Sequence, residues 1–284
     1  MPTPTPTDLE DDLAATVEGG VATLWLNRPA KRNAVTLAMW RALAAHCRRL
    51  ATDPAVRVLV VRGVGDHFCA GADIADLATV DPAEYHEVNA EADAALAAFP
   101  KPTVAVVTGA CVGGGTEIAV ACDLRFADAT ARVGITPARL GIVYPAIALE
   151  RVVRLAGPSA TKHLLFSAEI VDAERALRVG LLDEVHPAGE LDDRVEAFTT
   201  LLARERSLLT QMASKELVDA ASVHGTVDPA LADRWSAEAA SAPDAAEGMA
   251  AFLERRDPDF TWAPEENDRS TPRGGASPEL RRRR

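Results

Sequence analysis

The sequence predicts an α/β protein, with a mixed α/β core followed by a region that is mostly helical. Residues 11–190 alternate between β-branched, extended segments and segments with helical spacing. Two glycine-bearing loops in this core each follow an apolar strand and precede a helix. From about Ala146 onward the apolar residues repeat mainly at three-to-four spacing. Residues 191–260 are therefore assigned to a C-terminal helical region.

The core is predicted from short apolar runs separated by turn residues. Residues 22–26, 56–61 and 103–108 are apolar runs of strand length. Residues 34–50 and 83–99 have the composition and spacing of helices, and prolines follow the second of these. This alternation favours a mixed α/β domain over an all-helical one.

The C-terminal region is predicted from repeated leucines, alanines and charges. Helical spacing extends through 191–203, 208–221 and 243–256. Residues 261–284 are rich in Pro, Glu, Asp, Ser, Gly and Arg and have no packing face. We expect this tail and residues 1–10 to be disordered.

The composition argues against several classes of function. A net charge of −12 disfavours a nucleic-acid partner, because phosphate backbones are bound by clustered Lys and Arg. The four cysteines show no metal-ligand spacing, so we expect buried thiols and no metal site. No segment is apolar enough for a membrane span, and none has the pattern of a secretory signal. We therefore expect a cytoplasmic protein with no membrane partner.

Two loops carry the residues best suited to chemistry, at 68–74 and 113–117. A backbone N–H that points at a developing oxyanion needs an unusual turn without a bulky side chain. Gly71, Ala72 and the glycines of the second loop meet this need. A helix that begins near Thr116 adds unpaired N–H groups and the positive end of its dipole. Such a site stabilises negative charge, although a glycine run is also typical of a flexible turn.

Glu117 is a titratable residue at the start of this helix. The helix dipole favours its carboxylate form, so Glu117 is assigned to holding water or accepting a proton. The alternative is a local role, in which the carboxylate only interacts with the dipole of its own helix. A phosphate-binding loop is excluded by spacing, because no GxxxxGK[ST] motif is present and Ile118 stands at the third glycine of GxGxxG.

Six segments resemble, in the same order, signatures of the enoyl-CoA hydratase/isomerase (crotonase) superfamily. They are 26–34 (LNRPAKRNA), 68–74 (FCAGADI), 109–123, 138–141 (ARLG), 173–185 and 247–256 (EGMAAFLERR). The resemblance extends over about residues 10–260. It implies a crotonase-like spiral of β-β-α units, assembled as a homotrimer or homohexamer. It also implies that the helical C-terminal region, residues 191–260, serves oligomerisation and closure of the site.

The resemblance also implies the substrate and the site. The substrate is an acyl-CoA thioester, and no metal or redox cofactor is required. Ala72 and Gly114 match the positions whose N–H groups form the family's oxyanion hole, and Glu117 matches the first catalytic glutamate of the hydratases. The residues implied in substrate binding are Arg28, Lys31, Ala70, Phe252 and Arg255. The last two belong to a C-terminal helix that sometimes acts across a subunit boundary.

Pro137 departs from the hydratase pattern, because it occupies the place of the second catalytic glutamate. Hydration needs a base for water and an acid for the α-carbon, so one carboxylate would have to serve as both. The stretch from Thr136 to Tyr144 is more similar to members that decarboxylate malonyl-type CoA thioesters. In that case the Tyr144 hydroxyl orients the leaving carboxylate or relays a proton; otherwise Tyr144 only packs. Some of those decarboxylases have a histidine where Ala72 stands.

The sequence therefore predicts an acyl-CoA enzyme that stabilises a thioester enolate, with enoyl-CoA hydratase/isomerase activity as the main hypothesis. A malonyl-type-CoA decarboxylase is the first alternative. A non-catalytic acyl-CoA-binding member is the second, because losing one catalytic carboxylate is compatible with retained binding.

Overall fold

The computed structural model describes residues 9–264, in which short strands alternate with helices. In chain order the strands are β1 (Leu13–Glu18), β2 (Val21–Leu26), β3 (Val58–Gly63), β4 (Thr103–Val107), β5 (Ala110–Val112), β6 (Leu124–Asp128), β7 (Arg132–Gly134), β8 (Ile170–Asp172) and β9 (Glu184–His186). The helices are α1 (Leu37–Thr52), α2 (Ile74–Thr79), α3 (Pro82–Ala97), α4 (Gly114–Ala121), α5 (Ala146–Ser167), α6 (Ala173–Arg178), α7 (Leu191–Arg204), α8 (Leu208–His224), α9 (Pro229–Ser241) and α10 (Asp244–Glu254). Short 3-10 helices lie at Pro29–Lys31 and Pro137–Arg139.

The strands form two sheets. The larger has the order β1-β2-β3-β4-β6-β9, and the smaller has the order β5-β7-β8. Strand β1 runs antiparallel to β2, whereas β2, β3, β4, β6 and β9 run parallel to one another. Every residue of β4 is buried, as expected of a central parallel strand covered on both faces.

Helices α1, α3, α4 and α5 pack in succession and enclose the main core. Trp40 and Leu43 of α1 and Leu96 of α3 each keep at most 1% of their surface exposed. Helix α4 lies between α3 and α5 and is buried from Gly115 to its end. Helix α5 is interrupted at Gly157, where φ is 72°, immediately before Pro158. Helix α4 is therefore enclosed between α3 and α5, in the interior of the protein.

All four cysteines are buried and unpaired, as the sequence predicted. Within residues 9–264, no group of three or more His, Cys, Asp or Glu side chains is placed to hold a metal ion. In the same part of the chain, the helices are too short or too polar to span a bilayer.

The structure confirms the mixed α/β class and the order of the predicted elements. The predicted strands and helices of the core all form, with ends displaced by a few residues. Strand β1, the short strands β5, β7, β8 and β9, and helix α9 have no counterpart in the prediction. Three-residue strands bury too few side chains to give a period-two pattern in the sequence.

The predicted disordered ends lie mainly outside the described residues, which exclude 1–8 and 265–284. Inside the described range, the Asn27 side chain donates to the Leu9 carbonyl. Trp262 packs with Leu208, Met212 and Trp235, and its Nε1 donates to Glu238 at 2.7 Å. The packed chain therefore continues past residue 261, where the sequence predicted the tail to begin.

Candidate active site

The two predicted glycine loops lie side by side. Cys69 N donates to the Ala110 carbonyl at 2.8 Å, and Val112 N donates to the Cys69 carbonyl at 3.0 Å. Gly71 has φ 108° and Gly113 has φ 56°, in the region that residues with a Cβ rarely adopt. These turns allow the chain to reverse where the loops meet.

Ala72 and Gly114 lie close together where the two loops meet. A Cβ built on Gly114 would lie 3.2 Å from Ala72 N, so the two residues are in close contact across the loops. Within residues 9–264, neither amide N–H donates a hydrogen bond. Because a backbone N–H is a strong donor, a pair left unpaired at one place suits an acceptor supplied by a ligand.

Gly115 allows the two loops to approach each other closely. A Cβ at this position would lie 2.3 Å from the Cys69 carbonyl oxygen, which is well inside contact distance. The first turn of α4 can therefore pack on the first loop only if residue 115 is glycine.

Glu117 is buried in the first turn of α4, and one of its carboxyl oxygens accepts a hydrogen bond. Asn89 Nδ2 of α3 donates to Glu117 Oε1 at 2.9 Å. Burial, and then the charge of Asp93, raise the pKa of Glu117 to about 8, while the Asn89 hydrogen bond and Arg151 act in the opposite direction. The sequence led us to expect a carboxylate favoured by the helix dipole. Burial outweighs the dipole, so the protonated form predominates at pH 7.

Asp93 and Arg151 form an ion pair beside this group. Arg151 Nη1 of α5 lies 2.6 Å from Asp93 Oδ1 and 2.7 Å from Oδ2. The Asp93 side chain has no exposed surface, and burial raises its pKa while Arg151 opposes this effect. The pair joins α3 to α5 around α4.

Tyr144 is buried, and its hydroxyl donates to the Gly113 carbonyl at 3.0 Å. It therefore braces the second glycine loop, one residue before the Gly114 amide. Trp40 lies against Gly114, and its Nε1 donates to the Tyr85 hydroxyl at 2.9 Å. Aromatic side chains thus contact two consecutive residues of the second glycine loop.

Pro137 is buried in the 3-10 helix Pro137–Arg139 and contributes no titratable group. Its carbonyl accepts hydrogen bonds from Leu140 N and Ile142 N. The position expected to carry a second catalytic carboxylate thus has a structural role here.

The residues predicted to bind substrate fall into separate groups. Arg28 lies near the first loop, but its guanidinium is engaged by Asp73 Oδ2 at 2.9 Å and by the Ala34 carbonyl at 2.6 Å. Lys31 is exposed, and Ala70 is half-buried in the first loop. Asp73 also caps α2, because its side chain accepts a hydrogen bond from Ala75 N at the start of that helix.

Phe252 and Arg255 lie away from these loops, on α10 and at its end. Phe252 is 84% exposed and lines a cavity of about 760 Å³ among α8, α9 and α10. The other lining residues are Ser207, Leu209, Thr210, Ala239, Asp244, Ala245, Gly248, Met249, Leu253 and Phe260. The contact of Phe252 with substrate, within one chain or across a subunit boundary, stays a prediction.

Asn89, Asp93 and Arg151 were missed by the sequence reasoning. Asn89 and Asp93 are four residues apart and so share one face of α3, which contains many Ala and acidic residues. That composition is typical of an exposed helix, and only the burial seen in the structure distinguishes α3 from one. Their spacing was the one signal available.

The geometry can be compared with known proteins. The sequence profile of the enoyl-CoA hydratase/isomerase family matches residues 16–263. The chain belongs to this family. It is 33% identical to a 2,3-dehydroadipyl-CoA hydratase from Escherichia coli, over 84% of this chain and 94% of that protein. It is 32% identical to a crotonyl-CoA hydratase from Syntrophomonas wolfei, over 86% of this chain and 95% of that protein.

Solved structures of the family have the same fold. An enoyl-CoA hydratase/carnitine racemase from Magnetospirillum magneticum superposes with a TM-score of 0.85 at 31% identity, covering 89% of this chain and 96% of that one. A family protein from Hyphomonas neptunium gives a TM-score of 0.84 at 31% identity, over 88% and 98% of the two chains. The crotonase-like fold predicted from the sequence is thereby confirmed.

Proposed function

We propose that this family member binds an acyl-CoA thioester and stabilises its enolate, in an enoyl-CoA hydratase or isomerase reaction. The observation that carries the proposal is the pair of unpaired amides at Ala72 and Gly114, beside the buried carboxyl of Glu117. In this proposal the two N–H groups hold the thioester carbonyl oxygen. Their hydrogen bonds strengthen as that oxygen gains negative charge, so they act mainly on the transition state.

Glu117 would carry the proton. A carboxyl with a pKa of about 8 can both accept and return a proton near neutral pH, which is the condition for efficient general acid–base catalysis. In an isomerase reaction it takes a proton from the carbon beside the thioester carbonyl and returns it at the far end of the double bond. One carboxyl suffices for that shift. In hydration the same group must first deprotonate water and then protonate the α-carbon.

A malonyl-type-CoA decarboxylase is the second candidate, and Pro137 is the observation that favours it. Loss of carbon dioxide forms the enolate directly, so no base has to remove a carbon-bound proton. A protonated Glu117 would then supply the proton that completes the reaction. Support for hydration comes from the curated relatives, which are a 2,3-dehydroadipyl-CoA hydratase and a crotonyl-CoA hydratase.

The proposal includes further expectations. We propose that the protein is cytoplasmic, works as a homotrimer or homohexamer, and requires neither a metal nor a redox cofactor. Turnover that is unchanged by a chelator would support the last point, and a requirement for added metal would contradict it.

The experiment that tests the function is a screen of saturated, enoyl and malonyl-type CoA thioesters, with products identified by mass. Gain of water indicates a hydratase, unchanged mass with a moved double bond indicates an isomerase, and loss of carbon dioxide indicates a decarboxylase. Glu117→Gln is the matched control and should abolish turnover. Binding of thioesters without any turnover would instead favour the non-catalytic alternative.

A further inference from the structure

Helix α3 supplies the side chains that contact Glu117 and its surroundings. From adjacent turns of this helix, Asn89 contacts Glu117 of α4 and Asp93 contacts Arg151 of α5. Both are buried, with 4% and 2% of their surfaces exposed. A buried amide and a buried carboxylate are costly to place in a helix interface unless their hydrogen bonds are satisfied. Both hydrogen-bonding needs are met, by Glu117 for Asn89 and by Arg151 for Asp93.

The two oxygens of Glu117 have different surroundings. Oε1 accepts the hydrogen bond from Asn89 Nδ2. Oε2 makes no hydrogen bond to any described residue. Among residues 9–264, it is also not one of the side-chain atoms that are both fully buried and without a hydrogen-bond partner, so it keeps some accessible surface. Oε2 is consequently the oxygen that an incoming molecule can reach.

We infer that Asn89 is the positioning residue of Glu117: its side-chain amide occupies Oε1 and leaves Oε2 as the oxygen that exchanges a proton with the substrate. The inference rests on the proposed function, because it assumes that Glu117 is the acid–base group. Asn89 is a donor toward Oε1 in both protonation states, so the proton of the neutral form resides on Oε2. The carboxyl is thus oriented before the substrate binds.

Asn89 is itself held in place by the helix that carries it. The ion pair between Asp93 and Arg151 fixes α3 against α5 one turn further along. Several titratable groups surround Glu117 and influence its titration. The groups that face Glu117 are Tyr85 and Asp93 from α3, Tyr144 just before α5, Arg151 within α5, and Cys69 from the first loop.

Two substitutions on the same face of α3 should move the titration of Glu117 in opposite directions. Asn89→Leu removes a donor that stabilises the carboxylate, so the inflection in kcat/KM against pH should move up by about one pH unit. Asp93→Asn removes a negative neighbour and keeps Arg151, so the inflection should move down. A general disturbance of α3 has no reason to produce opposite shifts.

The kinetic constants separate positioning from folding. Asn89→Leu should lower kcat by about tenfold or more, with KM changed by less than about threefold, because Asn89 contacts Glu117 and not the substrate. Asn89→Gln keeps the amide donor and should recover part of the loss in kcat and the wild-type inflection. If Asn89→Leu does not fold, Asn89→Ala removes the same donor with a smaller side chain.

The experiment measures kcat and KM from pH 6 to 10 for these variants, with the thioester that wild type turns over. Direct titration of the Glu117 carboxyl by infrared difference spectroscopy, with Glu117→Gln as the blank, gives the second readout. Opposite shifts support the inference. An unmoved inflection in Asn89→Leu, or shifts in the same direction, overturns it and leaves the proposed function standing. Wild type that turns over no thioester overturns the proposed function and this inference together.

Discussion

The candidate site has two halves that are built in different ways. One half consists of backbone amides from Ala72 and Gly114, which neighbouring glycines allow to approach each other. The other half consists of the side chains of Glu117 and Asn89, which come from different helices. The backbone half depends on the absence of side-chain atoms, and the side-chain half depends on their burial. The two halves should therefore respond differently to substitution and to pH.

Removing one amide should produce the largest effect. Gly114→Pro lacks the N–H, and proline is tolerated in the first turn of a helix. We expect kcat/KM to fall by about 10²–10³, equivalent to about 3–4 kcal/mol, with much less change in binding of a saturated thioester. Steady-state kinetics and calorimetry check this.

Gly114→Ala is the matched control, because it adds a Cβ and keeps the amide. That Cβ would lie 3.2 Å from Ala72 N and 3.3 Å from Trp40, so a modest loss is expected. A loss as large as that of Gly114→Pro would show that crowding, and not the missing donor, explains the result.

The next largest effect should be on stability. In Gly115→Ala the new Cβ would lie 2.3 Å from the Cys69 carbonyl, and backbone must move to admit it. We expect a loss of about 3 kcal/mol in the free energy of unfolding, measured by denaturant titration. Gly248→Ala in α10 is the control, because its Cβ would have contacts of 3.5 Å or more. It should be neutral or stabilising by up to about 1 kcal/mol.

The side-chain half should show itself in the pH dependence of stability. The pKa of Glu117 is raised from 4.5 to about 8 in the folded protein, so folding favours the protonated carboxyl. Its contribution to stability is complete below pH 4.5 and is lost as pH rises through 8. Glu117→Gln should therefore gain stability relative to wild type between pH 5 and 9, by a few kcal/mol at most. A difference that is constant with pH would contradict the raised pKa.

Tyr144 connects the halves, and its substitution should have the smallest effect. Tyr144→Phe removes the hydrogen bond to the Gly113 carbonyl, which should cost about 1 kcal/mol in the free energy of unfolding. If the hydroxyl only braces the loop, turnover of an enoyl thioester should change by less than about fivefold. If Tyr144→Phe slows the release of carbon dioxide from a malonyl-type thioester by more than this, the hydroxyl has an active-site role.

The backbone half could be predicted from the sequence, and most of the side-chain half could not. Gly71, Gly113 and Gly115 are local signals, since each marks a turn or a close approach within its own loop. Asn89 lies on a helix whose composition suggests an exposed surface, and Arg151 is 58 residues from its partner Asp93. No pattern within a short window identifies such pairs.

The same reason explains one expectation that needs revision and one contact that the sequence did not indicate. The helix dipole at Glu117 was visible in the sequence, but the burial that opposes it arises from packing among α3, α4 and α5. Arg28, which the resemblance implies in substrate binding, also pairs with Asp73, 45 residues away. In each case the missing information was a contact between distant segments.

The reactivity of the buried cysteines can report local opening of the folded protein. Burial raises the pKa of Cys47, Cys69 and Cys122 to about 12, and it raises that of Cys111 as well. The thiolate is the reactive form, so these groups are inert to alkylating reagents while the chain is folded. Cys69 lies in the first glycine loop and Cys47 on α1, so their alkylation rates would compare local opening of the loop with that of the core.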